Sequence, residues 1–136
     1  YTNRDDSSLA VFCFKPAYLG LQDALSFHDL WEQETIPVII TAAKVRQGIR
    51  KVLDSNVLIR RIDKKYLFGF DYYEYTSGIY LPYSDMEKTL IDMVHFRQAL
   101  GKSTLSEIRK KVDRKKIKTY LNKYPKQTKD KVLALI

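Results

Sequence analysis

Cysteine is almost missing from this sequence: Cys13 is the only one, so no internal disulfide can form and nothing calls for an oxidising compartment. Glycine is scarce too, with 5 in 136 residues, and none falls in a loop of the kind that cradles phosphates. Two histidines and one cysteine cannot supply the paired Cys/His spacing of a zinc site, and no G-x-S-x-G nucleophile elbow is present. Apolar runs are short, none approaching the roughly 18 to 20 residues of a membrane span. The start shows no charged-then-apolar leader. These absences point away from an enzyme, a metal or cofactor, and a membrane protein, and make the cytoplasm the expected location.

What is present is one core's worth of apolar residues and a lopsided charge. A hydrophobic fraction of 45% over 136 residues fills one ordinary core. The formal charge is +8, but residues 101–136 hold 12 Lys+Arg against 3 Asp+Glu, so the basicity sits in the tail. A second basic zone covers residues 44–65, with 8 basic residues against Asp54 and Asp63.

Residues 1–8 are polar and unpatterned, as a linker or ragged terminus is. Leu9–Phe14 reads as a short buried strand closed by Pro16. From Tyr18 to Gln33, polar positions at spacings of three and four opposite Leu21, Leu25 and Trp31 predict an amphipathic helix. Ile36–Ala43 is continuously apolar and β-branched, the pattern of a central strand. Ile49–Leu53 and Val57–Ile62 flank a turn at Asp54-Ser55-Asn56, and Phe68–Tyr75 and Ile79–Leu81 flank Thr76-Ser77-Gly78, predicting two hairpins closed by Pro82. Ser84 with Glu87 three residues on predicts a capping box, opening a helix that runs to Gly101. Further helices are expected from Ser103 or Thr104, from Asp113 to a break at Pro125, and from Thr128. The expected fold is α+β: a mixed or antiparallel sheet of about five strands with packed helices in residues 9–101, then a small C-terminal helical bundle forming a basic tail subdomain in residues 102–136.

Few residues invite a chemical reading. His28 lies on the apolar arc of its helix, where a buried, hydrogen-bonded histidine is the simpler account. Lys88, Asp92 and His95 share one helix side at spacings of four and three, which reads as a solvated face with one weak ion pair. Glu87 is assigned to capping and Asp85 to the positive end of the helix. Eight aromatic residues fall between Tyr66 and Tyr83, with Tyr73 and Tyr75 on the face opposite Phe68, Phe70 and Tyr72. The basic zones are the strongest signal. Lys44, Arg46, Arg50, Lys51, Arg60 and Arg61 in the first, and Arg109, Lys110, Lys111, Arg114, Lys115 and Lys116 in the second, are the candidate contacts to nucleic acid or an acidic partner.

The order of a strand, the helix YLGLQDALSFHDLWEQ, the strand VIITAAKVRQGIRK, the aromatic segment YLFGFDYYEY and the capped segment SDMEKTLIDMVHF resembles AbiE-type abortive-infection antitoxins. The motifs that carry it are Ala24-Leu25-Ser26-Phe27-His28 and Asp85-Met86-Glu87-Lys88-Thr89-Leu90-Ile91-Asp92. The resemblance implies the region C-terminal to the winged helix of a type IV antitoxin and transcriptional regulator. Its implied partners are a cognate nucleotidyltransferase-like toxin and operator DNA, the latter mainly through a winged-helix module upstream. Two other readings follow from the residues alone. One is a stand-alone nucleic-acid-binding module using basic zones 44–65 and 102–131, which needs the two zones to form one stripe. The other is a nuclease or nucleotidyltransferase-like enzyme, which needs an open pocket at Asp85, Lys88, Asp92 and His95.

Overall fold

A computed structural model describes residues 7–31, 33, 35–52 and 54–136. The architecture is α+β, built on a six-stranded mixed sheet. Its strands are β1 (Ala17–Leu19), β2 (Val38–Thr41), β3 (Gly48–Val52), β4 (Ser55–Arg61), β5 (Phe70–Thr76) and β6 (Ile79–Ser84), in the order β3-β4-β2-β1-β6-β5. The helices are α1 (Leu21–Phe27), α2 (Met86–His95), α3 (Lys102–Lys111), α4 (Arg114–Leu121) and α5 (Lys126–Leu135), with 3-10 turns at Ser8–Phe14 and Lys64–Tyr66. Among the described residues, no helix is long and apolar enough to cross a membrane.

The centre of the sheet follows from composition. Val38–Thr41 is buried at every position, because β2 has a strand on each side and a layer over each face. On one face, Tyr18 and Ile40 of the sheet share a core with Leu25 of α1 and Leu90, Ile91 and Met93 of α2. The other carries Leu19, Ile39, Val57, Ile59 and Leu81 under the 3-10 segment Ser8–Phe14. Ile108, Ile117, Leu121, Tyr124 and Val132 belong to the first of these cores, so the tail helices are packed on the body through shared apolar contacts.

Several expectations from the sequence are corrected. Leu9–Phe14 is a 3-10 helix rather than a strand: Ala10, Val11 and Phe14 reach the core from one side, and a short apolar run does not by itself distinguish the two. The helix expected over residues 18–33 shrinks to Leu21–Phe27, because Ala17–Leu19 is drawn into the middle of the sheet. Gly20 makes the transition, and a Cβ there would sit 2.5 Å from Ile40 Cδ1. Pro82 does not close the sheet but lies inside β6, opposite Tyr72. The helix after it stops at His95, where Arg97 at φ 58° turns the chain, and Gly101 caps the start of α3 rather than ending α2. Both hairpins form, with β3 pairing β4 and β5 pairing β6. Leu53, expected at the end of β3, lies outside the described residues, as do residues 1–6 of the expected polar terminus.

Candidate functional site

The capping box resolves differently from its sequence reading, and the difference builds the most organised polar site in the molecule. Ser84 ends β6, and Asp85 is the N-cap, its Oδ1 accepting the Lys88 backbone N–H at 2.7 Å. Glu87 therefore does not close a box. Its Oε2 instead accepts the backbone N–H of Asp113 at 2.8 Å, at the start of α4. Ser84 and Thr89 share a hydroxyl hydrogen bond of 2.7 Å, and His28 Nε2 donates to the Ser84 carbonyl at 2.9 Å.

One turn into α2, the expected solvated face is sealed. Lys88 and Asp92 have no exposed surface, and Lys88 Nζ donates to Asp92 Oδ1 at 2.6 Å. Tyr18 OH donates to Asp92 Oδ2 at 2.5 Å, and Lys88 Nζ donates also to Tyr124 OH at 2.8 Å. The ammonium lies 4.9 Å from the centre of the Phe68 ring, with the Tyr124 and Tyr18 rings at 5.5 and 5.8 Å. A buried cation is tolerable only when it is hydrogen-bonded and its charge is matched; here Asp92 and Tyr124 accept two of the three N–H groups and Asp92 supplies the opposite charge. Burial pushes Asp92 up and Lys88 down, and their mutual attraction opposes both shifts. Burial, and after it the Asp92 charge, holds the phenols of Tyr18 and Tyr124 well above the ordinary tyrosine range. Gly69 lets β5 begin against this lysine: at φ +79° it has room for no side chain, since a Cβ would meet Lys88 Cβ at 2.8 Å.

The same helix end ties down the tail. Tyr120 OH donates to Asp85 Oδ2 at 2.6 Å, and Lys116 Nζ lies 3.0 Å from Asp85 Oδ2 and 3.4 Å from Glu87 Oε1. The network therefore joins β1 through Tyr18, α2, and the α4 region through Lys116, Tyr120 and Tyr124. Sequence spacing brought out the Lys88–Asp92 pair but not its tyrosine partners, which lie far away in the chain. The available signal was the apolar Leu90, Ile91, Met93 and Val94 around the pair, which leaves α2 little solvent-facing surface.

An enzyme site at Asp85, Lys88, Asp92 and His95 requires these groups to meet a substrate. Lys88 and Asp92 are instead closed off by Tyr18, Phe68 and Tyr124, and His95 is packed against Tyr66 at 5.3 Å, its pKa lowered by burial. Among the described residues, no group of three or more His, Cys, Asp or Glu is placed to hold a metal ion.

The basic candidates divide by position. Lys44 and Arg46 are exposed between β2 and β3. On the strands, Arg50 lies over Phe14 at 5.5 Å while Arg60 lies over Phe96 at 4.5 Å, so the two point to opposite faces of the sheet; Lys51 and Arg61 are exposed. In the tail, Arg109 Nε donates to the Leu135 carbonyl and Arg114 Nη2 to the Ile136 carbonyl at 3.0 Å, which satisfies the end of α5. Lys110 pairs loosely with Glu107 at 3.2 Å, and Lys111 and Lys115 are exposed. Lys116 serves the internal network. The first zone meets α2 at its C-terminal end, through Arg60 and Phe96, and the second at its N-terminal end, through Lys116 and Asp85. A ten-residue helix separates those ends by about 15 Å. The zones also approach each other elsewhere: Lys65 of the first lies over Tyr66, whose ring stacks on Tyr124 of the tail at 4.3 Å.

Compared with known proteins, the chain matches no family model and no curated protein.

Proposed function

We propose that this chain is a non-catalytic binding domain, the antitoxin-like regulatory part of a type IV toxin–antitoxin system acting in the cytoplasm. In this reading it opposes a nucleotidyltransferase-like toxin and contributes to transcriptional autoregulation, with operator DNA contacted mainly by an upstream module. The observation that carries the reading is the closed network at Asp85–Asp92, the segment on which the resemblance rests. Its charged groups are spent on holding the sheet and the tail helices together. A motif with that job serves the fold, and it leaves the exposed lysines and arginines as the chemistry available to partners.

The test has two arms. Co-expression with a nucleotidyltransferase-like toxin encoded beside it should restore growth. A salt titration of duplex-DNA binding should compare wild type with Lys110→Glu, Lys111→Glu and Lys115→Glu combined, leaving Lys116 in place for the fold. If these lysines bind phosphates, the variant should bind more weakly, with a salt slope flatter by close to one unit for each phosphate no longer neutralised. No rescue of growth, together with unchanged DNA binding in a folded variant, would remove the reading. A stand-alone nucleic-acid module is the second reading, favoured by the contact between the two basic zones at Tyr66 and Tyr124; DNA binding without any rescue of growth would select it.

A further inference from the structure

The two edge strands of the sheet are opposite in charge. Among the described residues, β5 pairs only with β6 and carries Asp71 and Glu74, and β3 pairs only with β4 and carries Arg50 and Lys51. The β5–β6 register shows which backbone groups of β5 are unused. Asp85 N–H donates to the Gly69 carbonyl, so the Gly69–Asp85 pair is hydrogen-bonded, and alternation gives the same role to Asp71–Tyr83 and Tyr73–Leu81. The N–H and C=O groups of Phe70, Tyr72 and Glu74 therefore point outward. Pro82, with no N–H to give, sits opposite Tyr72 as that pattern allows.

Polarity and facing also match across the two edges. Counting through the antiparallel and parallel pairs from β3 to β5 reverses direction three times, so β3 runs opposite to β5. A neighbouring copy in the same orientation brings its β3 antiparallel to this β5. Ile49 stands on the helix-covered face, opposite Leu58, as Phe70 does on β5. Among the described residues nothing covers either edge there: Ile49 is 67% and Tyr72 59% exposed. Beside Tyr72 lies a cavity of about 440 Å³ lined in part by Phe12, Pro16, Phe70 and Pro82. The register that sets Ile49 against Tyr72 also sets Arg50 against Asp71, one apolar and one oppositely charged cross-strand pair.

We propose that copies of this chain associate head to tail by continuing the sheet, the acidic edge β5 of one copy pairing antiparallel with the basic edge β3 of the next. Of the three ways to join two edges, β5 to β5 and β3 to β3 bring like charges together, and only β5 to β3 brings opposite ones. Such a contact is heterologous, so it either closes into a ring or continues.

Sedimentation velocity over a concentration series tests this on the 136-residue chain. Wild type should gain mass with concentration beyond a dimer. Asp71→Arg and Arg50→Asp should each weaken association about tenfold, while melting as wild type does. An equimolar mixture of the two variants should restore it, because each then offers the charge the other needs. Asp71→Asn should weaken association too. A protein that stays monomeric throughout, a mixture that does not recover, or a dimer that Asp71→Asn tightens, which is the signature of β5 pairing with itself, would each overturn the proposal.

Discussion

Replacing Lys88 by Met probes the buried network most directly. Met occupies most of the lysine stem, so the cavity left is small and the change is mainly electrostatic. Asp92 then loses its 2.6 Å partner and keeps only the Tyr18 hydroxyl, while Tyr124 OH loses its donor. Removing one member of a buried pair costs about 3–5 kcal/mol, a large share of the roughly 5–15 kcal/mol that holds a domain folded. The cost should depend on pH in a stated direction. Burial already raises Asp92 above the ordinary carboxyl value, and without the lysine nothing comparable opposes that. A carboxyl raised in the folded state weakens the fold above its folded pKa, and the penalty is relieved as pH falls toward the unfolded value of about 4. Urea denaturation followed by circular dichroism should therefore show a larger loss at pH 8 than at pH 5. Adding Asp92→Leu should return much of it, less the cost of two unpartnered phenols at about 1–3 kcal/mol each. A loss below about 1 kcal/mol at pH 8, or an equal loss at both pH values, would refute this account of the pair.

Three other outcomes are expected. Gly69→Ala should destabilise by about 1–3 kcal/mol in a thermal melt, since it combines a positive φ with a Cβ 2.8 Å from the Lys88 stem; a neutral result means β5 can shift there. Asp85→Ala removes the N-cap bond and the anchors of Tyr120 and Lys116, so about 2–4 kcal/mol should be lost, with amide exchange in α4 speeding up more than in β2; uniform acceleration would argue that the tail is not held at this point. Asp23, raised by burial to about 7 even though it accepts the Val38 N–H, should make the protein more stable as pH falls from 7 toward 4. Asp23→Asn should flatten that part of the stability–pH curve, and an unchanged curve would show that Asp23 is not the group responsible.

Sequence by itself determined the parts governed by local pattern. Val38–Thr41 is β-branched and continuously apolar, and it becomes the central strand; Asp113 caps α4 because its carboxylate meets the backbone N–H groups of Lys115 and Lys116 within its own first turn. The two hairpins follow from turn residues between β-forming runs, and the concentration of charge in residues 44–65 and 101–136 is a matter of counting. Tertiary structure decided what local pattern leaves open. Tyr18 and Leu19 suit a helix face or a strand equally, and a place between β2 and β6 made them a strand. Lys88 and Asp92 at a spacing of four look the same on a wet helix and a dry one; Tyr18, 74 residues from Asp92, and Tyr124, 36 residues from Lys88, closed the site over them. Lys116 reads as one more cation in a basic run until α4 lies against α2, where Asp85 and Glu87 take it up. Spacing along a chain sets which side chains share a face, but burial and long-range partners set the dielectric around them, and that decides whether a charge is a solvated surface group or a buried structural one.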